Sequence, residues 1–139
     1  GRDHVQYVDL AANRDGTILG VKVRAIANMG AYLSTAAPGV PTILFGFMVG
    51  GCYAIKAAKV EVTGVFTNTT PTDAYRGAGR PETTYVLERT MDALARELGI
   101  DRIELRRRNL IAPGDMPYQT PVAVKYDSGE FAARLEAPG

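Results

Sequence analysis

The first part of the chain alternates between apolar and polar residues, as β-strands with one buried face do. The alternation runs from Val5 to Leu10 and again from Thr17 to Ala27, and the turn-forming run Asn13-Arg14-Asp15-Gly16 lies between them. We therefore predict a β-hairpin whose second strand ends at residues 28–30. The predicted buried face of that strand includes Ile18, Val21, Val23, Ala25 and Ala27.

The pattern then becomes irregular before a third strand. Residues 31–51 carry no charge and are interrupted by prolines and glycines, which predicts a buried, irregular segment with at most a short helix. The β-branched residues between Lys59 and Phe66 predict a strand, and Gly64 within it indicates a bulge or a close backbone approach. Residues 67–72 are polar, so we predict a loop there.

Helical periodicity begins at Pro81. An apolar stripe predicts a helix over residues 81–98, with Gly99 as its stop. Asp101 and Glu104 resemble a capping box that opens a shorter helix ending near Asn109. The stripe consists of Val86, Leu87, Met91, Leu94 and Leu98.

Two features near the end of the chain complete the helical prediction. The triplet Arg106-Arg107-Arg108 falls in the last turn of the second helix, where cations suit the helix dipole. Ser128 is expected to cap a last helical turn that carries Phe131 and Leu135.

The order of the predicted elements, strands first and helices after them, predicts an α+β fold. In this fold a β-hairpin and an additional strand pack with two helices.

The composition of the chain excludes several classes of function. With 139 residues and 46% hydrophobic residues, the chain fits a single globular domain, predicted as one partial domain over residues 1–139. A net charge of +1 gives no field for nucleic acid or an anionic membrane, and no apolar run is long enough to span a bilayer. The first residues, Gly1-Arg2-Asp3-His4, have neither an initiator Met nor a signal peptide, so we expect part of a longer polypeptide.

The titratable side chains most often used for chemistry are scarce. Cys52 is the single cysteine, which excludes an internal disulfide and is compatible with a reducing compartment, so a cytoplasmic protein is expected. We expect Cys52 to be buried and inert, and His4, the single histidine, to have a surface or structural role.

The most informative segment joins the polar loop to the long helix, at residues 73–82. Gly77 and Gly79 allow positive φ and a close ligand approach, and Pro81 suits the first helical position. We predict that successive backbone N–H groups converge there to attract an anion, helped by Arg76 and Arg80.

Two other interpretations of this segment stay open. The glycines could form a tight connection in which the arginines pair with Glu82 or Asp73. A phosphate-binding glycine loop is the other alternative, although Glu82 stands where a dinucleotide loop has its third small residue.

Several stretches together are similar to the large subunit of the molybdenum hydroxylases, the family of xanthine dehydrogenase, aldehyde oxidase and carbon monoxide dehydrogenase. They are Thr67-Asn68-Thr69, Ala74-Tyr75-Arg76-Gly77-Ala78-Gly79-Arg80-Pro81-Glu82 and Leu105-Arg106-Arg107-Arg108-Asn109-Leu110. The similarity extends over nearly the whole chain. It implies a fragment of the first molybdenum-binding domain, which is inactive by itself.

The resemblance also implies a site. Ala74 to Pro81 would line the molybdenum site, and Ala74, Tyr75, Arg76, Gly77, Ala78 and Gly79 would bind the cofactor. No catalytic residue or metal ligand is expected here, because the family's general-base glutamate belongs to a distant motif. The implied cofactors are molybdenum-molybdopterin, in its cytosine dinucleotide form, with 2Fe-2S and FAD on partner subunits.

Residues that differ from the family's motifs restrict the range of substrates that the resemblance implies. Gly77 stands where carbon monoxide dehydrogenases have a copper-binding cysteine. The run from Ala74 to Arg80 resembles the form II homologues of those enzymes. The arginine and the aromatic residue of purine-specific enzymes are missing at Leu44 and Ala78. The resemblance therefore implies hydroxylation of an aldehyde or N-heterocycle, or carbon monoxide oxidation. A non-catalytic structural or interaction domain is the alternative.

Overall fold

The computed structural model describes residues 3–136 of the chain. The larger sheet in this part has three strands. The strands are β1 (His4–Ala12), β2 (Ile18–Gly30) and β3 (Ala57–Phe66), in the order β1-β2-β3. β1 and β2 form the predicted antiparallel hairpin, with His4 opposite Ala27. β3 runs parallel to β2, with Gly20 opposite Ala57. The predicted α+β class is confirmed, with the helices on one face of this sheet. Residues 1–2 and 137–139 of the predicted domain lie outside the described part.

The central strand supplies the buried face that the sequence predicts. The five predicted residues of β2 are all at most 5% exposed. All of them except Ala27 belong to one core cluster with residues of α2 (Arg80–Leu98) and α3 (Arg102–Asn109). A Cβ added at Gly64 of β3 would lie 3.1 Å from Met29 Cγ, an atom of a side chain on β2. A close approach of the backbone at Gly64 therefore stays a prediction.

The apolar segment 31–51 contains a short 3-10 turn, a π turn (Val40–Leu44) and the single-turn helix α1 (Phe45–Phe47). The predicted irregular conformation is confirmed, but the prediction that the segment is buried is wrong for the eight of its 21 residues that are exposed. An uncharged stretch does not reveal which of its sides faces the core. Among its exposed residues are Tyr32, Leu33, Ile43, Leu44 and Phe47.

The long helix α2 ends at Gly99, which has φ +67° as predicted for a helix stop. Its buried stripe includes Val86, Leu87 and Met91. Before α3, the Asp101 carboxylate accepts from two backbone N–H groups of the first turn. The capping box is only half formed, because Glu104 instead pairs with Arg107 and Arg108.

The last part of the chain forms a two-residue ladder between β4 (Tyr118–Gln119) and β5 (Lys125–Tyr126), followed by α4 (Phe131–Glu136). The sequence analysis missed the ladder, since strands of two residues show no periodicity. The predicted cap at Ser128 is wrong, because its hydroxyl lies 3.1 Å from the Asp127 carboxylate.

A partly buried group of three charged side chains joins the two main helices. Arg106 of α3 donates to Glu88 Oε2 at 2.7 Å and to Asp92 Oδ1 at 2.9 Å, both on α2. Glu88 also accepts from the Tyr53 hydroxyl at 2.6 Å, and burial together with this carboxylate raises the pKa of Tyr53. The Arg106 guanidinium therefore has a structural role, because it connects α3 to α2.

The buried amide of Asn109 connects the end of α3 to the hairpin. Its Oδ1 accepts from the Ile18 N–H at 2.9 Å, and its Nδ2 lies 2.9 Å from both Gly16 O and Leu105 O. One side chain thus satisfies three backbone groups on two elements that are far apart in the sequence.

Replacing this amide tests its contribution to stability. We expect Asn109→Ala to lower the free energy of unfolding by about 3 kcal/mol, because it leaves buried backbone groups without partners. Urea unfolding followed by circular dichroism measures the change, with Ser128→Ala as an exposed control. A loss as small as that of the control would contradict this role for Asn109.

Candidate functional site

The loop that leads to residues 73–79 is fixed against the end of β2. Asn28 Oδ1 accepts from the Gly30 N–H and from the Thr67 hydroxyl, both at 2.8 Å. The Thr72 hydroxyl donates to Asn28 O at 2.9 Å. Gly30 has φ +76°, and an added Cβ would lie 2.4 Å from Pro71 Cα. This contact determines where the following segment starts.

The other end of the segment packs on the backbone of residues 40–45. A Cβ added at Gly79 would lie 2.6 Å from Phe45 N and 2.9 Å from Val40 O. The buried Thr83 hydroxyl lies 2.9 Å from Phe45 O, within donating distance. Gly79 therefore permits close packing of the protein backbone on itself, and this contact determines the position of the N-terminus of α2.

Three consecutive residues of the segment have positive φ. Gly77 has φ +111° and Gly79 has φ +91°, as predicted, and Ala78 between them has φ +44°. The prediction that successive N–H groups converge is wrong for two of them. The Ala78 N–H donates to Tyr75 O at 3.0 Å, and the Arg80 N–H donates to Gly77 O at 3.1 Å. These amides stabilise the loop itself.

A cavity of about 410 Å³ lies beside this loop. Of the predicted site residues, Ala74, Tyr75 and Ala78 line it, whereas Arg76, Gly77 and Gly79 lie outside its lining. The sequence analysis did not assign the titratable side chains of this wall, those of His4, Asp73 and Glu82, to the site. Asp73 and Glu82 flank the glycine loop in sequence, but His4 comes from the start of β1 and only the folded chain brings it here.

The ring of His4 packs edge-to-face on Phe45, with ring centroids 5.3 Å apart. Gln6 Nε2 lies 3.1 Å from His4 Nδ1. Because an amide nitrogen can only donate, Nδ1 accepts and the proton of the neutral ring lies on Nε2. Within residues 3–136, the buried Nε2 atom has no hydrogen-bond partner. Burial lowers the pKa of His4, while the charges of Glu82 and Asp3 oppose this effect.

The wall of the cavity is acidic. Glu82 is only 8% exposed, and Asp73 accepts from the Ala74 N–H at 2.7 Å. In the described part of the chain, no lysine or arginine lines the cavity. Arg80 donates to Gly77 O at 3.4 Å, outside that lining. The predicted attraction of an anion by the glycine loop stays a prediction.

The described residues show three further features. Across residues 3–136, no group of three histidine, cysteine or carboxylate side chains is placed to hold a metal ion. No helix in the same range is long and apolar enough to cross a membrane. Cys52 is half-buried, so the expected burial is met only in part, and this burial raises the pKa of its thiol.

The described residues form an α+β unit in which a glycine loop lies beside a cavity. The family model described as "Molybdopterin cofactor-binding domain" matches residues 1–110. This chain belongs to that family.

Relatives agree with this assignment. The chain is 39% identical to the carbon monoxide dehydrogenase large chain of Hydrogenophaga pseudoflava, over 97% of this chain and 17% of that protein. It is 38% identical to subunit gamma of the 6-hydroxypseudooxynicotine dehydrogenase complex of Paenarthrobacter nicotinovorans, over 98% of this chain and 18% of that protein. The solved quinoline 2-oxidoreductase of Pseudomonas putida 86 matches with a TM-score of 0.86 and 29% identity, over 95% of this chain and 17% of that one. The chain thus spans less than a fifth of the length of these relatives.

Substitutions at two neighbouring positions test the role of the loop backbone. We expect Gly79→Ala to lower the free energy of unfolding by about 3 kcal/mol, because the methyl group would overlap the backbone at residues 40–45. Ala78→Gly should change it by less than about 1 kcal/mol, since glycine adopts positive φ without strain. Urea unfolding measures both, and equal effects would contradict the close packing at Gly79.

Proposed function

We propose that this chain forms one wall of the molybdopterin site in the large subunit of a molybdenum-dependent oxidoreductase. The observation that carries the proposal is the run of three positive φ angles at Gly77, Ala78 and Gly79, beside the cavity of about 410 Å³. The family assignment and the names of the relatives support it. The reaction would be hydroxylation of an aldehyde or N-heterocycle, or oxidation of carbon monoxide.

The residues of the loop fit a bulky, flat group. Ala74, Gly77 and Ala78 carry at most one methyl group, so their backbone can approach such a group closely. When bound, the molybdenum cofactor would supply the two-electron chemistry. We propose Ala74, Tyr75, Arg76, Gly77, Ala78 and Gly79 as its contacts in this chain, where they would orient the cofactor and exclude water.

The proposal extends to the cofactors and partners of the whole protein. We propose the cytosine dinucleotide form of molybdopterin, partner subunits that carry 2Fe-2S and FAD, and a cytoplasmic location. Two relatives are named as one chain or subunit of an assembly, which supports partner subunits. Gly77 carries no thiol, so we propose a site without copper.

Metal analysis of the full-length protein, purified with its accompanying subunits, tests the proposed cofactor. We expect about one molybdenum atom per large subunit, together with iron and no copper. Copper at the level of molybdenum would argue for carbon monoxide oxidation despite Gly77. A folded protein that lacks molybdenum after growth with molybdate would contradict the proposal and favour a non-catalytic domain.

Enlarging one residue of the loop tests the proposed contact surface. We expect Ala74→Leu to lower the molybdopterin content severalfold, because the larger side chain would occupy the wall that faces the cofactor. Cofactor content is measured by fluorescence of the oxidised pterin released from the full-length protein. Ala112→Leu, at an exposed position far along the chain, is the matched control. Equal content in both variants would exclude Ala74 from the contact surface.

A further inference from the structure

The strand β3 has a backbone edge that no other strand of residues 3–136 covers. Along its whole length β3 pairs with β2 on one side, and the sheet ends at its other side. In a parallel pair the N–H and C=O groups of a strand bond alternately to either side, so half of those of β3 point away from β2. The strand is ten residues long and contains no proline. Its free edge is therefore able to pair with a further strand.

The inner face of β3 is covered less completely than that of the central strand. Val60 and Val62 of β3 pack against the core but are only partly buried. Their partners on β2 are Val23 and Ala25, which are both 0% exposed. The cover of the core is thus complete at β2 and incomplete one strand away, at β3.

An apolar groove of about 460 Å³ lies beside this part of β3. Val60 and Val62 line it from the strand, and Ile43 and Phe47 line it from the segment 31–51. Ile43 is 56% exposed and Phe47 is 46% exposed, and no charged side chain of residues 3–136 lines the groove. An exposed apolar surface next to a free strand edge suits the apolar side chains on one face of an added strand.

The length of the relatives favours a strand from the same polypeptide. This chain spans less than a fifth of the relatives and of the solved structure that it matches. A segment tethered to this unit reaches the groove at a higher effective concentration than a separate chain does. Lys59 and Glu61 of β3 pair with each other at 2.7 Å, so their charges do not select a charged partner.

We propose that a strand from another part of the same large subunit, outside residues 1–139, pairs with the free edge of β3 and packs apolar side chains into this groove. The inference rests on the proposed function, which assigns the chain to a longer subunit. The added strand would bond to the outward N–H and C=O groups of β3 and complete the cover of Val60 and Val62.

A photo-cross-link in the full-length protein with its subunits identifies what occupies the groove. Phe47 is replaced by p-benzoylphenylalanine, a similar aromatic residue, and the same replacement at Ala112, an exposed position outside the groove, is the control. We expect position 47 to cross-link to a peptide of the same large subunit outside residues 1–139, without an increase in subunit mass on a denaturing gel. Position 112 should not cross-link to that peptide.

Hydrogen exchange of the backbone amides tests the strand pairing itself. We expect slow exchange at consecutive amides of β3 in the full-length protein, because bonds to two neighbouring strands protect both sets of N–H groups. Ile43→Asp should speed exchange of the outward set severalfold, since burying a charge under the added strand is costly. Val5→Asp is the matched control, because Val5 of β1 is 52% exposed and lies outside the groove, and it should leave β3 unchanged.

The contrary results are distinct. A cross-link from position 47 to a partner subunit or to a second large subunit would overturn the proposed occupant. A cross-link yield no higher than at position 112, or fast exchange at every second amide of β3, would overturn the pairing. Molybdenum content of the same preparation separates the two proposals: molybdenum with an unpaired β3 edge contradicts only this inference, and an internal cross-link without molybdenum contradicts only the proposed cofactor.

Discussion

The close contact between Gly79 and the backbone of residues 40–45 determines the geometry of the candidate site. A single added carbon at Gly79 would lie 2.6 Å from Phe45 N, a distance that no packing adjustment of a side chain could relieve. This contact fixes the N-terminus of α2, so that Glu82 reaches the cavity and Ala78 is held at φ +44°. The strain at Ala78 persists because both ends of the loop are anchored.

The second anchor is polar. Asn28 connects the end of β2 to Thr67 and Thr72 through its side chain and carbonyl, and Asn109 connects α3 to the start of the same strand. Asn28 is half-buried and Asn109 is buried, and removing amides from water is costly unless they are hydrogen-bonded, so each of them favours one arrangement of the chain. The loop that leads to residues 73–79 is therefore hydrogen-bonded to one end of β2, and α3 is hydrogen-bonded to the other end.

The position of the charges changes the chemical interpretation of the glycine loop. From its sequence, the loop looked suited to an anion, because two arginines and a helix N-terminus adjoin it. In the folded chain the lining contains Asp73 and Glu82, while Arg80 lies outside it and donates to Gly77 O.

Local features were determined by the sequence itself. The alternation in β1 and β2, the stripe of α2 and the positive φ of Gly77 and Gly79 depend on residues close together in the chain, so their preferences can be predicted from the chain alone. The family motif around Ala74 to Glu82 was likewise visible in the sequence. The tertiary structure alone decided the parallel pairing of β3 with β2, the buried side of the apolar segment 31–51, and the meeting of His4 with Glu82. These depend on contacts between distant residues, which no local periodicity encodes, because the pairing of strands and the docking of helices are selected by the packing of the whole core.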